Sequence, residues 1–238
     1  MKKNVFVFSL VSVLCLGSLT LLNSCLKHND TTPQQPVALV SVLQASPGAP
    51  YMDLYFNGSK VNTGQVIGYA TAGQLRPKAG NYDISFVNSV TGDTILHRQD
   101  SITGGQYYSM LVYDTASARK VLLFPDKFDQ AQDASSAYIR FLQLSPDAGP
   151  VELNIGTTQY ARHSFEDVMD PSNAKFNIIT QGTYSFTAIN PSTGDTLGTA
   201  SGALAGGAAY TVYLRGLASH TNTATDTLGL KLALMQNY

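Results

Sequence analysis

The chain repeats itself once, at a spacing of about one hundred residues, and this duplication constrains its fold more than any other feature. Residues 43–49 read LQASPGA and residues 142–148 read LQLSPDA, an offset of 99. Further along the chain the offset is 102, where the tetrapeptide TGDT stands at both 91–94 and 193–196. A period this long predicts two whole domains rather than the short units of a solenoid.

Within each copy, apolar residues alternate with polar ones, as in strands that bury one face. Residues 52–56 of the first copy read MDLYF, and residues 184–188 of the second read YSFTA. Asn, Gly and Asp are concentrated at 88–94 and 190–196, between two such runs, which predicts hairpins. Several short strands in each hundred residues predict an all-β fold of two tandem immunoglobulin-like β-sandwiches.

Changes in composition along the chain predict five regions. A polar run with two prolines precedes the first copy, and a second polar run interrupts the strand pattern between the copies. Each predicted sandwich is near the usual size for independent folding, about 100 residues. The regions are a signal peptide (1–24), a flexible tether (25–36), the first sandwich (37–124), a linker (125–136) and the second sandwich (137–238).

The first thirty residues have the form of a secretion signal. Lys2 and Lys3 precede an uncharged run at 5–22 that is rich in Phe, Val and Leu. The tetrapeptide LNSC that ends at Cys25 resembles the bacterial lipobox, in which the Cys becomes the acylated first residue of the mature protein. We therefore expect Cys25 to carry palmitate-type acyl chains that hold the protein to a membrane. The alternative is that the apolar run stays in place as a membrane-spanning helix.

The residue after Cys25 is Leu26 rather than Asp, which resembles lipoproteins sent on to the outer membrane. The style of the lipobox resembles that of the Bacteroidota. These resemblances predict a lipid-anchored protein of the cell envelope, at the outer membrane, and leave open which side of that membrane it faces.

Composition argues against several classes of function. Cys15 leaves with the signal and Cys25 is acylated, so no thiol remains for a disulfide, a metal site or a nucleophile. A net charge of -1 provides no footprint for nucleic acid. The chain contains no P-loop, G-x-S-x-G, H-E-x-x-H or G-x-G-x-x-G motif. The histidines have no metal-ligand spacing, so we expect no metal, no cofactor and no catalytic residue; they are His28, His97, His163 and His220.

Residues 42–58 read VLQASPGAPYMDLYFNG and closely resemble the opening signature of a bacterial family called domain of unknown function 4397 (DUF4397). The tripeptide GNY at 80–82 resembles the G-x-Y of the same family. The resemblance covers most of residues 37–124 and, more loosely, residues 137–238. It implies a secreted or lipid-anchored protein with an immunoglobulin-like β-sandwich, and it implies no activity, because none is assigned to the family.

Asp53 and Glu152 are the acidic positions that the two copies share, although in the second copy Glu152 replaces the Asp of the family signature. As functional residues they would bind a cation or a sugar. A calcium site needs six to eight oxygens gathered together, so we favour the interpretation that both acids cap neighbouring backbone amides at the start of a strand.

Six Asp-Ser/Thr-x triplets with a small or aliphatic third residue resemble the O-glycosylation triplet of exported Bacteroidota proteins. Turn and strand-start chemistry favours the same triplets and is the alternative explanation. The residues predicted to carry sugar are Thr31, Thr94, Ser101, Thr115, Thr196 and Thr227.

These observations predict a non-catalytic cell-envelope lipoprotein that presents two β-sandwiches as binding or structural modules. The expected partners are the membrane, through the lipid on Cys25, and a glycan or another envelope protein; no nucleic acid is expected, and the oligomeric state is left open. One alternative is an accessory protein of polysaccharide handling with weak hydrolase activity, which two nearby carboxylates in a cleft would favour. Another is a fimbria-like subunit with an exposed strand edge or a displaced terminal strand around 228–235.

Overall fold

Strand pairing organises the chain into four four-stranded sheets in the part described by the computed structural model. The described residues are 35–129, 131–170, 172, 175–223 and 225–238. The regions predicted as signal peptide and most of the tether, with Cys25 and Thr31, lie outside them, so the predictions about these residues stay predictions.

The first copy of the repeat forms a β-sandwich. Its inner sheet has the strand order β4-β1-β7-β8 and its outer sheet the order β3-β2-β5-β6. β1 and β7 run parallel, and β4 and β8 flank them as antiparallel edge strands. The strands are β1 (Leu39–Gln44), β2 (Met52–Phe56), β3 (Ser59–Lys60), β4 (Ala72–Leu75), β5 (Gly80–Asn88), β6 (Thr94–Ile102), β7 (Tyr107–Tyr113) and β8 (Lys120–Pro125).

The second copy forms the same sandwich. Its inner sheet has the order β12-β9-β15-β16, with β9 and β15 parallel, and its outer sheet has the order β11-β10-β13-β14. A short 3₁₀ helix, Phe165–Met169, follows β11. The strands are β9 (Ser136–Gln143), β10 (Val151–Ile155), β11 (Thr158–His163), β12 (Asn177–Thr180), β13 (Gly182–Ile189), β14 (Thr196–Leu204), β15 (Ala209–Arg215) and β16 (Lys231–Gln236). The predicted fold class, two β-sandwiches, is confirmed.

The predicted hairpins are present in both copies with the same hydrogen bonds. Asn88 N donates to Asp93 O at 2.8 Å, and Asn190 N donates to Asp195 O at 2.9 Å. The turns need a residue that tolerates positive φ, and Gly92 (φ 79°) occupies that position in the first copy as its counterpart in TGDT does in the second. The repeated tetrapeptide therefore encodes a turn.

The outer strands bury one face, as the alternating pattern predicts. In the first sandwich Leu54 and Phe86 are fully buried between the sheets, and in the second Leu153 and Phe186 are. The central inner strands β1, β7, β9 and β15 differ, because they are buried on both faces.

The two inner sheets pack against each other through their second faces. One buried cluster draws on both sandwiches, so the four sheets stack in the order outer, inner, inner, outer. Its larger members are Leu43, Leu111, Tyr113 and Phe124 from the first copy and Leu142, Leu144, Tyr213 and Met235 from the second. Gln35–Tyr238 accordingly forms one compact unit.

A polar network crosses the centre of this interface. Arg140 Nη1 lies 2.7 Å from Asp126 Oδ1, and both side chains are 0% exposed. The guanidinium also donates to Ser109 Oγ and Thr211 Oγ1 at 2.5 and 2.9 Å. A buried ion pair is tolerated only when its remaining donors and acceptors are satisfied, and the hydroxyl of Tyr238 completes the set by hydrogen bonding to Asp126.

Residues 125–136, predicted from their polarity to be a linker, take part in this packing. Pro125 ends β8, Asp126 is buried, and the ring of Phe128 stacks on Phe176 with centroids 5.1 Å apart. The predicted domain boundaries stay predictions. In the described part of the chain, no helix has the length and apolar character needed to cross a bilayer.

Candidate functional site: a cleft in the first sandwich

The open side of the first sandwich contains a cleft between the edge strands β3 and β4, which belong to opposite sheets. Its volume is about 360 Å³. Aliphatic side chains form most of its wall, and amide and hydroxyl groups, including those of Asn62 and Gln65, lie among them. The aliphatic lining residues include Val42, Leu54, Val61, Ile67 and Leu75.

The cleft is open because the edge of the outer sheet is interrupted there. β3 has only two residues, and the chain leaves the sheet after Val61, whose N–H still donates to Leu54 O at 2.9 Å. It returns at Ile67, whose N–H donates to Met52 O at 2.8 Å and whose O accepts from Met52 N at 2.9 Å. Residues 62–66 therefore form a loop beside the cleft, which we call the cleft loop.

Asn62 holds the cleft loop in place. Its Oδ1 accepts a hydrogen bond from Leu54 N at 2.8 Å, where a longer β3 would have supplied a backbone carbonyl. Its Nδ2 donates to Gln65 O at 2.7 Å and to Asp53 Oδ1 at 3.3 Å. The side chain thus replaces a strand pairing and closes the turn of the loop.

Asp53, predicted to be a ligand or a capping acid, lies beside this loop. Its carboxylate forms an ion pair with Lys60 Nζ at 2.8 Å in addition to its contact with Asn62. Both of these contacts are with side chains, and the role of Asp53 as a ligand or a capping acid stays a prediction. The acid positions the cleft loop from the outer face of the sheet.

Glu152 occupies the equivalent position in β10, half-buried and opposite Arg162 in the antiparallel register. Asp53 and Glu152 lie on the two outer sheets, with both inner sheets between them. Because stacked sheets are about 10 Å apart, the structure does not bring these two acids together. Among the described residues, no three His, Cys, Asp or Glu side chains converge as a metal site.

The second sandwich fills the place of the cleft with aromatic side chains. Tyr160 stands where the first copy has Val61, at the offset of 99, and packs on the core. Its hydroxyl donates to Ile139 O at 2.8 Å and accepts from Asn177 Nδ2 at 3.0 Å. Burial raises the pKa of Tyr160 to about 12. The ring and its hydroxyl are therefore part of the second sandwich's interior.

Two further positions show the same difference. Phe141 replaces Val42 at the offset of 99. His163 lies opposite Val151 in the register, as Ile67 lies opposite Met52 in the first copy, and its ring packs on Phe141 at 5.6 Å. Burial lowers the pKa of His163, which favours the neutral ring.

The residues predicted to carry sugar lie mainly at the surface. Thr94 and Thr196 open β6 and β14 at equivalent positions and are exposed, as are Ser101 and Thr227. Thr115 is half-buried, with its N–H bonded to Asp114 Oδ1 at 2.7 Å. Thr31 lies outside the described residues. Whether these residues carry sugar stays a prediction.

Sequence reasoning missed the cleft. The signal that reveals it is the exchange of Val61 for Tyr160 at the offset of 99, which becomes informative only when the open edge of the sandwich is known. Fold and cleft together define a class of protein: a duplicated β-sandwich with one open and one filled copy.

Comparison with known families agrees with the resemblance noted in the sequence. The model of the DUF4397 family, described as a domain of unknown function, matches residues 38–154. Residues 38–154 of the chain therefore belong to the DUF4397 family. The match runs past the first sandwich, through β9 and into β10, and so includes the cleft loop, Asp126 and Arg140. No curated protein matches the chain.

Proposed function

We propose that the protein is a non-catalytic lipoprotein of the outer membrane that presents its two sandwiches as a single binding module. In this proposal acyl chains on Cys25 hold the protein to the membrane, and the tether separates the compact unit from the bilayer. The cleft of the first sandwich is the binding site.

The observation that carries the proposal is the difference between the copies. One copy retains an apolar cleft of about 360 Å³, within the range of about 300–1,000 Å³ that is typical of ligand pockets. The other copy fills the same place with Tyr160. Unfilled apolar space lowers stability because the lining atoms lose packing partners. A bound ligand would offset that cost in the first copy.

The chemistry of the lining favours binding over catalysis. The cleft is lined by aliphatic side chains, amides and threonine hydroxyls, with no carboxylate, imidazole, ammonium or guanidinium group among its lining residues. General acid–base chemistry needs a titratable group within hydrogen-bond reach of the reacting atom. The hydrolase alternative therefore has no support at this cleft.

The lining also bears on the class of partner. Sugars bury many hydroxyl groups, each of which needs a hydrogen-bond partner. Three of the five polar side chains that line the cleft, Asn62, Thr71 and Gln74, already bond to other groups of the protein. We therefore favour an envelope protein over a glycan as the partner. The fimbria-like alternative needs an exposed edge or a displaced terminal strand. Lys231–Gln236 is not displaced, because it forms β16, paired with β15, although β16 is an edge strand of its sheet.

The anchor is tested by the intact mass of the protein purified from membranes. We expect a chain that begins at Cys25 and carries lipid, and we expect Cys25→Ser to move the protein to the soluble fraction. A membrane protein that retains residues 1–24, or a Cys25 without lipid, would contradict the anchor.

Binding is tested with the soluble chain from Lys27 to Tyr238, which contains the whole compact unit. Glycan arrays and capture from solubilised envelopes are compared for the wild type, for Val61→Tyr and for Val90→Tyr. Val90 lies at a hairpin tip and is 85% exposed, so it is a matched control for adding a tyrosine. We expect the partner to be lost only with Val61→Tyr; equal capture by the two variants would exclude the cleft as the site.

A further inference from the structure

Building on the proposed function, we propose that the cleft of the first sandwich binds a single aromatic ring, of the phenol or benzyl type, carried by its ligand. The second sandwich shows what this arrangement of strands, the frame, accommodates at the place of the cleft, because the ring of Tyr160 lies there. The first sandwich has the same frame and lacks the ring.

The inner-sheet backbone that faces the two positions is equivalent, although Val61 follows the two-residue β3 and Tyr160 lies within the longer β11. In the first sandwich Val40 of β1 is paired with Leu75 of β4, and in the second Ile139 of β9 is paired with Asn177 of β12. The carbonyl of Ile139 accepts the hydroxyl of Tyr160 at 2.8 Å. The matching carbonyl in the first sandwich is that of Val40, which does not line the cleft, whereas its partner Leu75 does.

The second hydrogen bond differs between the copies. Asn177 donates to the hydroxyl of Tyr160 at 3.0 Å, whereas Leu75 stands at the matching register position and has no donor. A ring hydroxyl would therefore lack the donor that Asn177 supplies in the second sandwich. This geometry accepts a phenol and does not require one, so an unsubstituted ring fits as well.

The size of the cleft agrees with a ring that carries a short substituent. An apolar cavity of about 150 Å³ is enough to hold benzene, and the cleft is larger, at about 360 Å³. Extra room arises because Val42 and Ile67 stand where the second sandwich has Phe141 and His163. The amide of Gln65, in the cleft loop, lines the cleft and is placed to contact a polar substituent.

The probe for this inference is p-cresol, the side-chain analogue of tyrosine. Its binding is measured by ligand-observed NMR titration on four forms of the soluble chain: wild type, Val61→Tyr, Tyr160→Val and Val90→Tyr. We expect the wild type and Val90→Tyr to bind one equivalent. Val61→Tyr should weaken binding at least tenfold, and Tyr160→Val should add a second site.

The reciprocal variants Val61→Tyr and Tyr160→Val give the p-cresol titration outcomes that would overturn the inference. If the wild type does not bind p-cresol, the inference is overturned, whether or not Tyr160→Val is stable enough to study. Binding that survives Val61→Tyr with unchanged affinity would also overturn it, because the ring would then lie elsewhere.

Two further probes identify the source of the ring. Binding of both p-cresol and N-acetyltyrosinamide supports a tyrosine side chain of a partner protein, and binding of p-cresol alone supports a free phenolic compound. Competition by methyl β-glucoside at the same site would overturn the inference that the cleft binds an aromatic ring, and would leave the proposed binding function intact. Conversely, p-cresol binding without any cleft-dependent capture from envelopes would overturn the proposed function and leave this inference intact.

Discussion

The two sandwiches agree in the contacts that define their frame and differ where side chains face a cleft, an interface or a loop. The hydroxyl of Tyr108 accepts from Thr103 N at 3.0 Å, and that of Tyr210 accepts from Ala205 N at the same distance. Strand order and hairpins are also the same in both copies. Duplication has therefore preserved the contacts that join strands and turns.

The differences fall at positions that the frame leaves free. β1 has Ser41 where β9 has Arg140, and the cleft has Val61 where the second copy has Tyr160. A third exchange places Asp147 where the first copy has Gly48. In each case the second copy carries the larger side chain and uses it for a structural contact. The comparison indicates that the larger side chains of the second sandwich stabilise the compact unit, while the first sandwich keeps an open cleft.

Replacement of Arg140 should have the largest effect on stability. Arg140→Met leaves Asp126 as a buried charge without its partner, so we expect the free energy of unfolding in urea to fall by about 3 to 5 kcal/mol. The control is Ser41→Ala at the equivalent position. It removes the hydrogen bond from Ser41 Oγ to Asn237 O, 2.8 Å long, and the contact of Ser41 with the hydroxyl of Tyr238, but leaves no buried charge without a partner, and should cost about 1 kcal/mol. Equal losses would contradict the asymmetry at the interface.

Truncation of Tyr160 should have the next largest effect. Tyr160→Ala opens a cavity and removes two hydrogen bonds, so we expect a loss of about 3 kcal/mol in the free energy of unfolding. Val61→Ala, at the matching position, should cost about 1 kcal/mol because the cleft beside it is already open. If the two truncations destabilise equally, the first cleft is as well packed as the second.

The hydroxyl of Tyr238 tests the contact between the two sandwiches, because it joins the end of the second sandwich to the first. It donates to Tyr108 O at 2.6 Å and also contacts Asp126. Burial and the nearby Asp126 raise the pKa of Tyr238. Tyr238→Phe should lower the free energy of unfolding by about 1 to 2 kcal/mol. Tyr82→Phe, which loses a more exposed hydrogen bond to Lys78 O, should have less than half that effect.

Asp147 should have the smallest effect and a distinct pH dependence. Burial raises its pKa, but hydrogen bonds from Ala218 N and from the N–H and hydroxyl of Ser219 outweigh burial and lower it below the usual value of 3.8. The ionised acid therefore stabilises the fold above the unfolded pKa, about 3.9, and this contribution is lost as the pH falls through the lower folded pKa.

We expect Asp147→Ala to cost about 0.5 to 1 kcal/mol at pH 7, a small value because solvent screens this exposed group. The difference from the wild type, measured by urea unfolding at pH 7 and at pH 3, should shrink at the lower pH. A difference that stays constant would show that the carboxylate charge does not hold the loop at residues 217–220.

Much of the fold follows from local signals in the sequence. The repeated TGDT marks the hairpins because Gly supplies the positive φ that their turns need, and the alternation at 52–56 identifies the buried face of an outer strand. The burial of the central inner strands on both faces could not be predicted, because a sequence such as YYSMLVY at 107–113 does not show what covers the second face of the strand. That face is covered by the other sandwich.

The cleft and the polar network depend on contacts between distant parts of the chain. Asp126 lies in a polar run that is typical of a linker, and only the packing of the two inner sheets brings it to Arg140. Likewise, Val61 becomes notable only when β3 ends after two residues and leaves the edge open. Local patterns do not encode such long-range pairings, so these features could not be predicted.

The central claim is that the first sandwich binds while the second supports it, and site-specific photo-crosslinking in native cells tests it most directly. A photo-reactive residue is placed at Thr63, in the cleft loop, or at Arg162, the exposed position equivalent to it in β11. The account predicts a discrete crosslinked partner from position 63 and none from position 162. The same partner at both positions, or a partner at position 162 alone, would contradict it.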